Sequence, residues 1–216
     1  MKLKELYELA VNLGINNDPR GRENVEKLLA KEKEKYKELK EDDKREFDLD
    51  RLFNPYSDTR VLVGDPDLDI KRALVGIDME ISEVLLADRL GEKSKAVDLV
   101  IAHHPEGKAL AALHDVMHLQ EDVLASLGVP INVAEGIMAS RISEVKRGLM
   151  PLNHNRAVDA ARILGIALMC IHTPADNHVN KFLQELFDKQ NPETLLDVIK
   201  LLKTIPEYRE AVKYNP

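Results

Sequence analysis

The sequence contains no tryptophan, a single cysteine and no long apolar run. Cys170 has no second cysteine to pair with, so an internal disulfide is excluded and a reducing compartment is indicated. No apolar stretch approaches the roughly 20 residues that a membrane-spanning helix needs. Residues 1–14 carry acidic side chains within their apolar pattern, which is not typical of a signal peptide. We therefore expect a cytoplasmic protein that does not enter a membrane.

An excess of positive charge is also lacking. The chain has 31 basic and 38 acidic residues, a net charge of -7, and aromatic residues make up only 4% of it. Nucleic-acid-binding proteins cluster positive charge on one surface, and those that bind single strands add aromatic side chains for base stacking. The composition therefore gives no strong nucleic-acid signal and argues against binding to anionic membranes.

Several catalytic and nucleotide-binding motifs are missing from the sequence. It has no glycine-rich phosphate-binding loop, no GxSxG, no GxGxxG and no CxxC. Acidic residues are plentiful, but nothing singles out one pair of carboxylates for acid–base chemistry. The function must therefore be inferred from other residues.

Apolar runs that alternate with amphipathic segments dominate the middle of the chain. Residues 72–78, 96–102 and 166–172 are typical of buried strands, and a shorter strand is predicted near 59–64. Residues 129–135 also appear strand-like by composition. The predicted helices are 81–90, 108–127, 136–148, 155–164 and 177–189. This alternation predicts an α/β fold with a mostly parallel sheet flanked by helices.

The two ends of the chain are predicted to be helical. Residues 2–13 form an amphipathic pattern, and residues 22–46 mix Lys and Glu around a narrow apolar stripe, which is typical of a solvated helix laced with ion pairs. We therefore divide the chain into an N-terminal helical extension (1–50), an α/β metal-binding core (51–190) and a helical C-terminal tail (191–216).

Three predicted strands end in residues that bind metals or move protons. Asp78 closes the first, His103 and His104 the second, and His172 the third. Ligands of parallel sheets bind beyond the carboxyl ends of the strands. Neighbouring side chains on a strand point to opposite faces, so two adjacent histidines suit two ions about 3.5–4 Å apart better than one. The alternative is a pair of ordinary hydrogen-bonded histidines at a strand end.

A second segment, CIHTPADNHVN, strengthens the metal interpretation. His172 and Asp176 lie four residues apart across the turn TPAD. Asp176 could cap the helix that follows, or its two oxygens could bridge two metals. His172 could be a ligand or a residue that orients one, and His178 is a weaker candidate.

Two other groups of histidines offer rival sites. His114 and His118 are four apart on a predicted helix, a spacing that can chelate a metal, although plain surface histidines are the simpler interpretation. His154 lies at a predicted loop-to-helix junction. Cys170, on an apolar strand, is interpreted as a small buried hydrophobic residue.

At these residues the sequence resembles the Nif-three family (NGG-one-interacting factor three), whose bacterial members are often labelled GTP cyclohydrolase I type 2 homologues. The resemblance covers roughly residues 55–190 and rests on four stretches in order: SDTRVLVGDPDLDI, RALVGIDMEISEVLLA, VDLVIAHHP and IHTPADNHVNKFL. It implies an α/β fold, a site for two divalent metal ions and a symmetric homo-oligomer. By position it implies that His103, His104 and Asp176 are metal ligands, with His172 at or next to the site.

The sequence departs from the family pattern in two places. The family continues HHP with apolar residues, whereas Glu106 and Gly107 follow here, and Glu106 is our candidate for a proton-carrying catalytic residue. The family also supplies a late His and Glu about one helical turn apart, yet no histidine follows His178. Either a last βα portion is lacking, or the site is completed by His114, His118, His154, Glu135 or a neighbouring subunit.

The function implied is that of a metal-dependent hydrolase acting on an unidentified small molecule. Histidine with carboxylate ligands suits Zn, Fe or Mn better than Ca or Mg. The alternative is a non-catalytic metal-binding scaffold or interaction protein, in which the ions stabilise an assembly. A third hypothesis is an inactive, metal-free relative that has lost the late ligands.

Overall fold

A computed structural model describes residues 1–214 of the chain. Its contacts divide the chain into two compact units, Met1–His178 and a second one that begins at Val179. The predicted division at residues 50 and 190 stays a prediction, and residues 215 and 216 of the predicted tail lie outside the described residues. No helix within residues 1–214 combines the length and the apolar character needed to cross a membrane.

One four-stranded sheet forms the centre of the first unit. Its strands are β1 (Arg60–Val63), β2 (Ala73–Gly76), β3 (Leu99–Ala102) and β4 (Ala167–Cys170), in the spatial order β1-β4-β3-β2. The pairs β2–β3 and β3–β4 are parallel, whereas β1 runs antiparallel to β4. The expectation of a mostly parallel sheet flanked by helices is therefore confirmed.

The helices outnumber the strands. Those before β3 are α1 (Leu3–Asn16), α2 (Arg22–Glu38), α3 (Glu41–Glu46) and α4 (Ile81–Glu92). Those between β3 and β4 are α5 (Gly107–Ala111), α6 (Leu113–Val116), α7 (Leu119–Ser126), α8 (Ile131–Leu149) and α9 (Arg156–Leu164). After β4 come α10 (Thr173–Gln190), α11 (Leu195–Leu202) and α12 (Pro206–Ala211). Single 3-10 turns lie at Leu49–Leu52 and Val212–Tyr214.

The sheet is covered on both faces because its strands alternate between two apolar clusters. Val100 and Leu168 point to one face, where they pack with the buried side chains of α4 and α9, such as Val84 and Ala161. The residues next to these along each strand point to the other face, where they pack against α1. The buried residues of α1 are Leu3, Tyr7, Val11 and Ile15. Their spacing of four residues places them on one side of the helix, so α1 is part of the core.

Three details of the helical prediction were wrong. The predicted helix 22–46 is two helices, because α2 ends at Glu38 and α3 begins at Glu41. Residues 129–135 are not a strand, because α8 begins at Ile131, directly after Pro130. Its buried residues Ala134, Met138 and Ile142 follow at intervals of four, the helical spacing, which a seven-residue window could not reveal. The predicted helix 108–127 is three short helices, α5 to α7.

The second unit contains the rest of α10, together with α11 and α12. Thr194 caps α11 by accepting a hydrogen bond from the backbone N–H of Asp197 at 3.2 Å. Neither α11 nor α12 has a buried residue, and Leu195 and Leu196 are both exposed.

Candidate metal centre

His103 and His104 lie just beyond the carboxyl end of β3. Their backbone N–H groups donate to the carbonyl oxygens of Gly76 and Ile77, each at 2.9 Å, which holds them against the end of β2. Because the strand has ended at Ala102, the alternation of side chains between opposite faces is not enforced. The two imidazole rings lie 5.3 Å apart between centroids, close enough to share one site.

The neighbouring strand β4 delivers a third imidazole to the same edge. His172 follows Cys170 by two residues, and its ring stacks on that of His103 with centroids 4.7 Å apart. Its centroid is 6.0 Å from that of His104. One ring nitrogen from each of the three histidines falls within 4.8 Å of the others, an arrangement that can hold a metal ion.

Asp176 joins this group from the first turn of α10. Its Oδ1 lies 3.5 Å from His103 Nε2, and its Oδ2 lies 3.6 Å from His172 Nδ1. The structure thus brings together the four side chains that the sequence proposed as metal ligands. Each oxygen of the carboxylate therefore lies near a different histidine ring.

A fully buried carboxylate, Asp58, supports His172 from behind. Its Oδ2 lies 3.0 Å from His172 Nδ1 and accepts a 2.6 Å hydrogen bond from the Thr173 hydroxyl. Burial alone would lower the pKa of His172, but the hydrogen bond and charge of Asp58, with the charge of Asp176, raise it. Sequence reasoning missed Asp58, because the stretch that contains it, SDTRVLVGDPDLDI, was noted only for its resemblance to the family.

All three histidines direct Nδ1 at an oxygen acceptor. His104 Nδ1 lies 2.6 Å from Asp78 Oδ1, and His103 Nδ1 lies 3.3 Å from the carbonyl oxygen of Ile171. Acceptors in these positions favour the tautomer that carries its proton on Nδ1, which leaves the lone pair of Nε2 free for a metal. The residues present therefore fit a divalent transition metal.

A cleft of about 750 Å³ opens beside the histidines. Asp78, Glu80, Glu106 and Arg156 supply its charged groups, and leucine and proline side chains line part of its wall. Burial, followed by the charge of Glu80, raises the pKa of Glu106 to about 7, while Arg156 opposes the rise. A carboxyl group with this pKa can exchange protons near neutral pH.

Cys170 has a structural role next to this cleft. It is buried, and its Sγ accepts a 3.2 Å hydrogen bond from the backbone N–H of Glu106. Burial raises the pKa of its thiol to about 12, so the thiol stays protonated. The contact fixes the backbone of Glu106 against β4.

The rival histidines do not assemble a second site. His114 and His118 each lie beside a local carboxylate, Asp115 at 3.2 Å and Glu121 at 3.0 Å. His154 is hydrogen-bonded to the carbonyl oxygen of Leu149, and His178 to Asn17. Within residues 1–214, no group of three metal-ligating side chains includes any of these four histidines, and Glu135 is exposed on α8.

The fold is similar to that of a solved structure. A NIF3 superfamily protein from Sphaerobacter thermophilus matches 70% of this chain with a TM-score of 0.58 and 29% sequence identity. The matched part is 55% of that protein, so this chain spans little more than half of its length. No family model and no curated protein matches the sequence. The structural match, together with the HHP and HTxxD segments, supports membership of the NIF3 superfamily.

Proposed function

We propose that this chain binds divalent metal ions through His103, His104, His172 and Asp176 and acts as a metal-dependent hydrolase. The observation that carries the proposal is the set of three imidazoles whose Nδ1 atoms all face oxygen acceptors. Imidazole with carboxylate suits Zn, Fe or Mn. Such an ion supplies Lewis acidity that activates water at neutral pH.

The number of ions is a separate part of the proposal. The three histidines suffice for a single ion whose fourth position is open to water or substrate. The family resemblance implies a pair of ions, and a carboxylate such as that of Asp176 has two oxygens with which it can bridge them. We therefore propose two ions, with His103, His104, His172 and Asp176 as their ligands from the described part of the chain.

We propose roles in substrate binding, proton transfer and ligand positioning for other residues in and around the cleft. The cleft of about 750 Å³ is within the range that small-molecule ligands occupy, about 300–1,000 Å³. Glu106 lines it beside His104 and is proposed to transfer a proton to or from the substrate. Asp58 and Asp78 hold two of the imidazoles in position.

Metal content tests the binding part of the proposal. Elemental analysis of the purified protein is expected to find up to two equivalents of a transition metal per chain, and the His103→Ala variant is expected to lose most of it. His178→Ala is the matched control, because His178 is hydrogen-bonded to Asn17 and does not belong to the histidine cluster. Metal retained in full by His103→Ala would reject the assigned site.

Turnover separates the two function classes. Phosphoesters, GTP and small amides are incubated with the loaded protein, with and without a chelator. Chelator-sensitive hydrolysis that Glu106→Gln abolishes without loss of metal supports the enzyme and the role of Glu106. Full metal content without turnover on this panel favours the non-catalytic scaffold.

A further inference from the structure

A groove of about 350 Å³ lies between α2 and α7. Lys27 and Lys31, which are one helical turn apart, line it from α2, and Asp122 lines it from α7. Arg20, which precedes α2, also forms part of its wall. In the described part of the chain, no residue that lines this groove also lines the cleft at the metal centre. The groove is therefore a separate cavity.

Arg20 is held in this groove by a buried ion pair. Its side chain is only 8% exposed, and its Nε and Nη2 donate hydrogen bonds to the two oxygens of Asp18 at 2.9 and 2.8 Å. The hydroxyl group of Tyr56 donates a further hydrogen bond to Asp18 Oδ2 at 2.8 Å. These contacts fix the plane of the guanidinium, so Arg20 is oriented before any ligand binds.

The remaining nitrogen of the guanidinium, Nη1, makes no hydrogen bond to any residue between 1 and 214. Asp122 Oδ2 lies 3.5 Å from it, but the side chain of Asp122 is 44% exposed, so this ion pair is weak. Asp18 already balances the charge of Arg20, and Nη1 therefore contributes oriented N–H donors more than net charge. A buried arginine with unused donors on the wall of a cavity is typical of an anion-binding site.

Two lysines supply positive charge to the same groove. Lys27 and Lys31 are exposed, and neither forms an ion pair with a residue that the structure describes; Lys27 has a 3.4 Å hydrogen bond to Asn24. Two glutamates of α2 pair instead with Arg22 and Arg51. Like charges one turn apart on a helix repel each other, so a bound anion would relieve the repulsion between these lysines.

We propose that this groove binds a diphosphate group through Nη1 of Arg20 and the ammonium groups of Lys27 and Lys31. A multivalent anion suits three cationic side chains better than a monovalent one, because each added charge strengthens the attraction. The volume lies within the range of about 300–1,000 Å³ that small ligands occupy. Leu28 and Ala125 add apolar wall, so the diphosphate is either free or part of a larger molecule such as a nucleotide. The site does not depend on the proposed hydrolase function.

Equilibrium dialysis of the full chain against radiolabelled pyrophosphate tests the site. Wild type is expected to retain the label. The double variant Lys27→Ala, Lys31→Ala is expected to bind it at least about tenfold more weakly, because it loses two charge-assisted contacts. The matched control is Lys33→Ala, Lys93→Ala, which removes the same charge from exposed positions outside the groove. Equal affinity in the two double variants, or a wild type that does not retain the label, would overturn the proposal.

Asp122→Asn tests the position of the anion within the groove. Its carboxylate lies beside Nη1 and repels an anion bound there, so the substitution is expected to tighten pyrophosphate binding. Unchanged or weaker binding would place the anion away from Arg20 and contradict the proposed contacts. Arg20 itself is left intact, because its removal would leave the buried carboxylate of Asp18 without its partner.

A metal ion can also bind phosphate, so the dialysis is repeated on His103→Ala. Retention of the label by this variant supports the groove. Binding that is lost in His103→Ala and kept in the double lysine variant would assign the pyrophosphate to the metal centre and overturn the proposal. Competition with unlabelled ADP and unlabelled pyrophosphate distinguishes the two sources of the group. Stronger competition by ADP identifies a nucleotide as the ligand, stronger competition by pyrophosphate identifies the free anion, and either result supports a diphosphate site.

Discussion

The carboxylate of Asp58 shows how a residue outside the ligand set contributes to a metal centre. It is fully buried, and both Thr59 and Thr173 donate hydrogen bonds to it from their hydroxyl groups. These two hydrogen bonds hold the carboxylate in place, and the carboxylate in turn orients the ring of His172 through Nδ1. Loss of a carboxylate that hydrogen-bonds a metal-binding histidine typically lowers metal affinity by about 10–100-fold.

Substitution of Asp58 is therefore expected to weaken metal binding. Asp58→Asn keeps the side-chain volume, but it replaces one carboxylate oxygen with an NH2 group that cannot accept a hydrogen bond, and it removes the negative charge that faces His172. We expect zinc affinity to fall about 10–100-fold in the folded protein, measured by competition with a fluorescent chelator. Asp65→Asn, on the exposed loop after β1, is the matched control. An Asp58→Asn affinity equal to that of wild type would rule out the proposed support of His172.

Glu106 gives the metal-free protein a pH-dependent stability. Its pKa is about 7 in the folded protein and near the ordinary value of 4.5 when unfolded. Between these values the folded state binds more protons, so the free energy of unfolding falls as pH rises from about 4.5 through about 7, and the stabilisation is fully present only below that range. Glu106→Gln is expected to remove this part of the pH dependence.

Urea unfolding at several pH values, with a chelator present, measures the effect. The informative quantity is the difference in the free energy of unfolding between wild type and Glu106→Gln at each pH, since both proteins share every other ionisable side chain. Glu144→Gln, which removes an exposed carboxylate from α8, is the control. A difference that does not change with pH would contradict the assigned pKa of Glu106.

The residues of the candidate site were largely predictable from the sequence, because parallel strands place their carboxyl ends together. His103, His104 and His172 all follow apolar runs, so the fold alone brings them to one edge. Asp58 was not predictable in this way. It precedes β1, which runs antiparallel to its neighbour β4, so its contact with His172 depends on a pairing that no periodic pattern encodes.

At the scale of elements, the strands were easier to predict than the long insertion between β3 and β4. Each of β2, β3 and β4 is a short apolar run ended by polar residues. In contrast, VPINVAE mixes apolar and β-branched residues in a window too short to separate a strand from a helix. Only the buried residues at 134, 138 and 142 identify α8, and their pattern continues beyond that window.

Gly107 explains one departure from the family pattern at this scale. Its φ of +56° lies in the left-handed region, and a Cβ there would approach Val158 Cγ2 to 2.7 Å. The residue allows α5 to begin close against α9, with its N–H donating to the carbonyl oxygen of His154 at 2.9 Å. Glycine after Glu106 is therefore required by the packing of α5 on α9, which the sequence alone did not indicate.

Metal binding is expected to stabilise the whole first unit against unfolding, because the candidate ligands come from separate elements. His103 and His104 follow β3, His172 follows β4, and Asp176 belongs to α10. An ion that binds them in the folded state and not in the unfolded chain stabilises the fold by mass action, by about 2.7 kcal/mol at a concentration 100 times the Kd. For a chain of this length that corresponds to a rise in Tm of about 5–10 °C.

Thermal unfolding with increasing zinc measures this coupling. The Tm of wild type is expected to rise with the logarithm of the zinc concentration, and a chelator is expected to reverse the rise. His103→Ala should unfold at a temperature nearly independent of zinc, whereas His118→Ala should follow wild type, since His118 lies beside Glu121 and outside the cluster. If both variants retained the full shift, the ion would be binding elsewhere, and the edge of β3 and β4 would have no part in it.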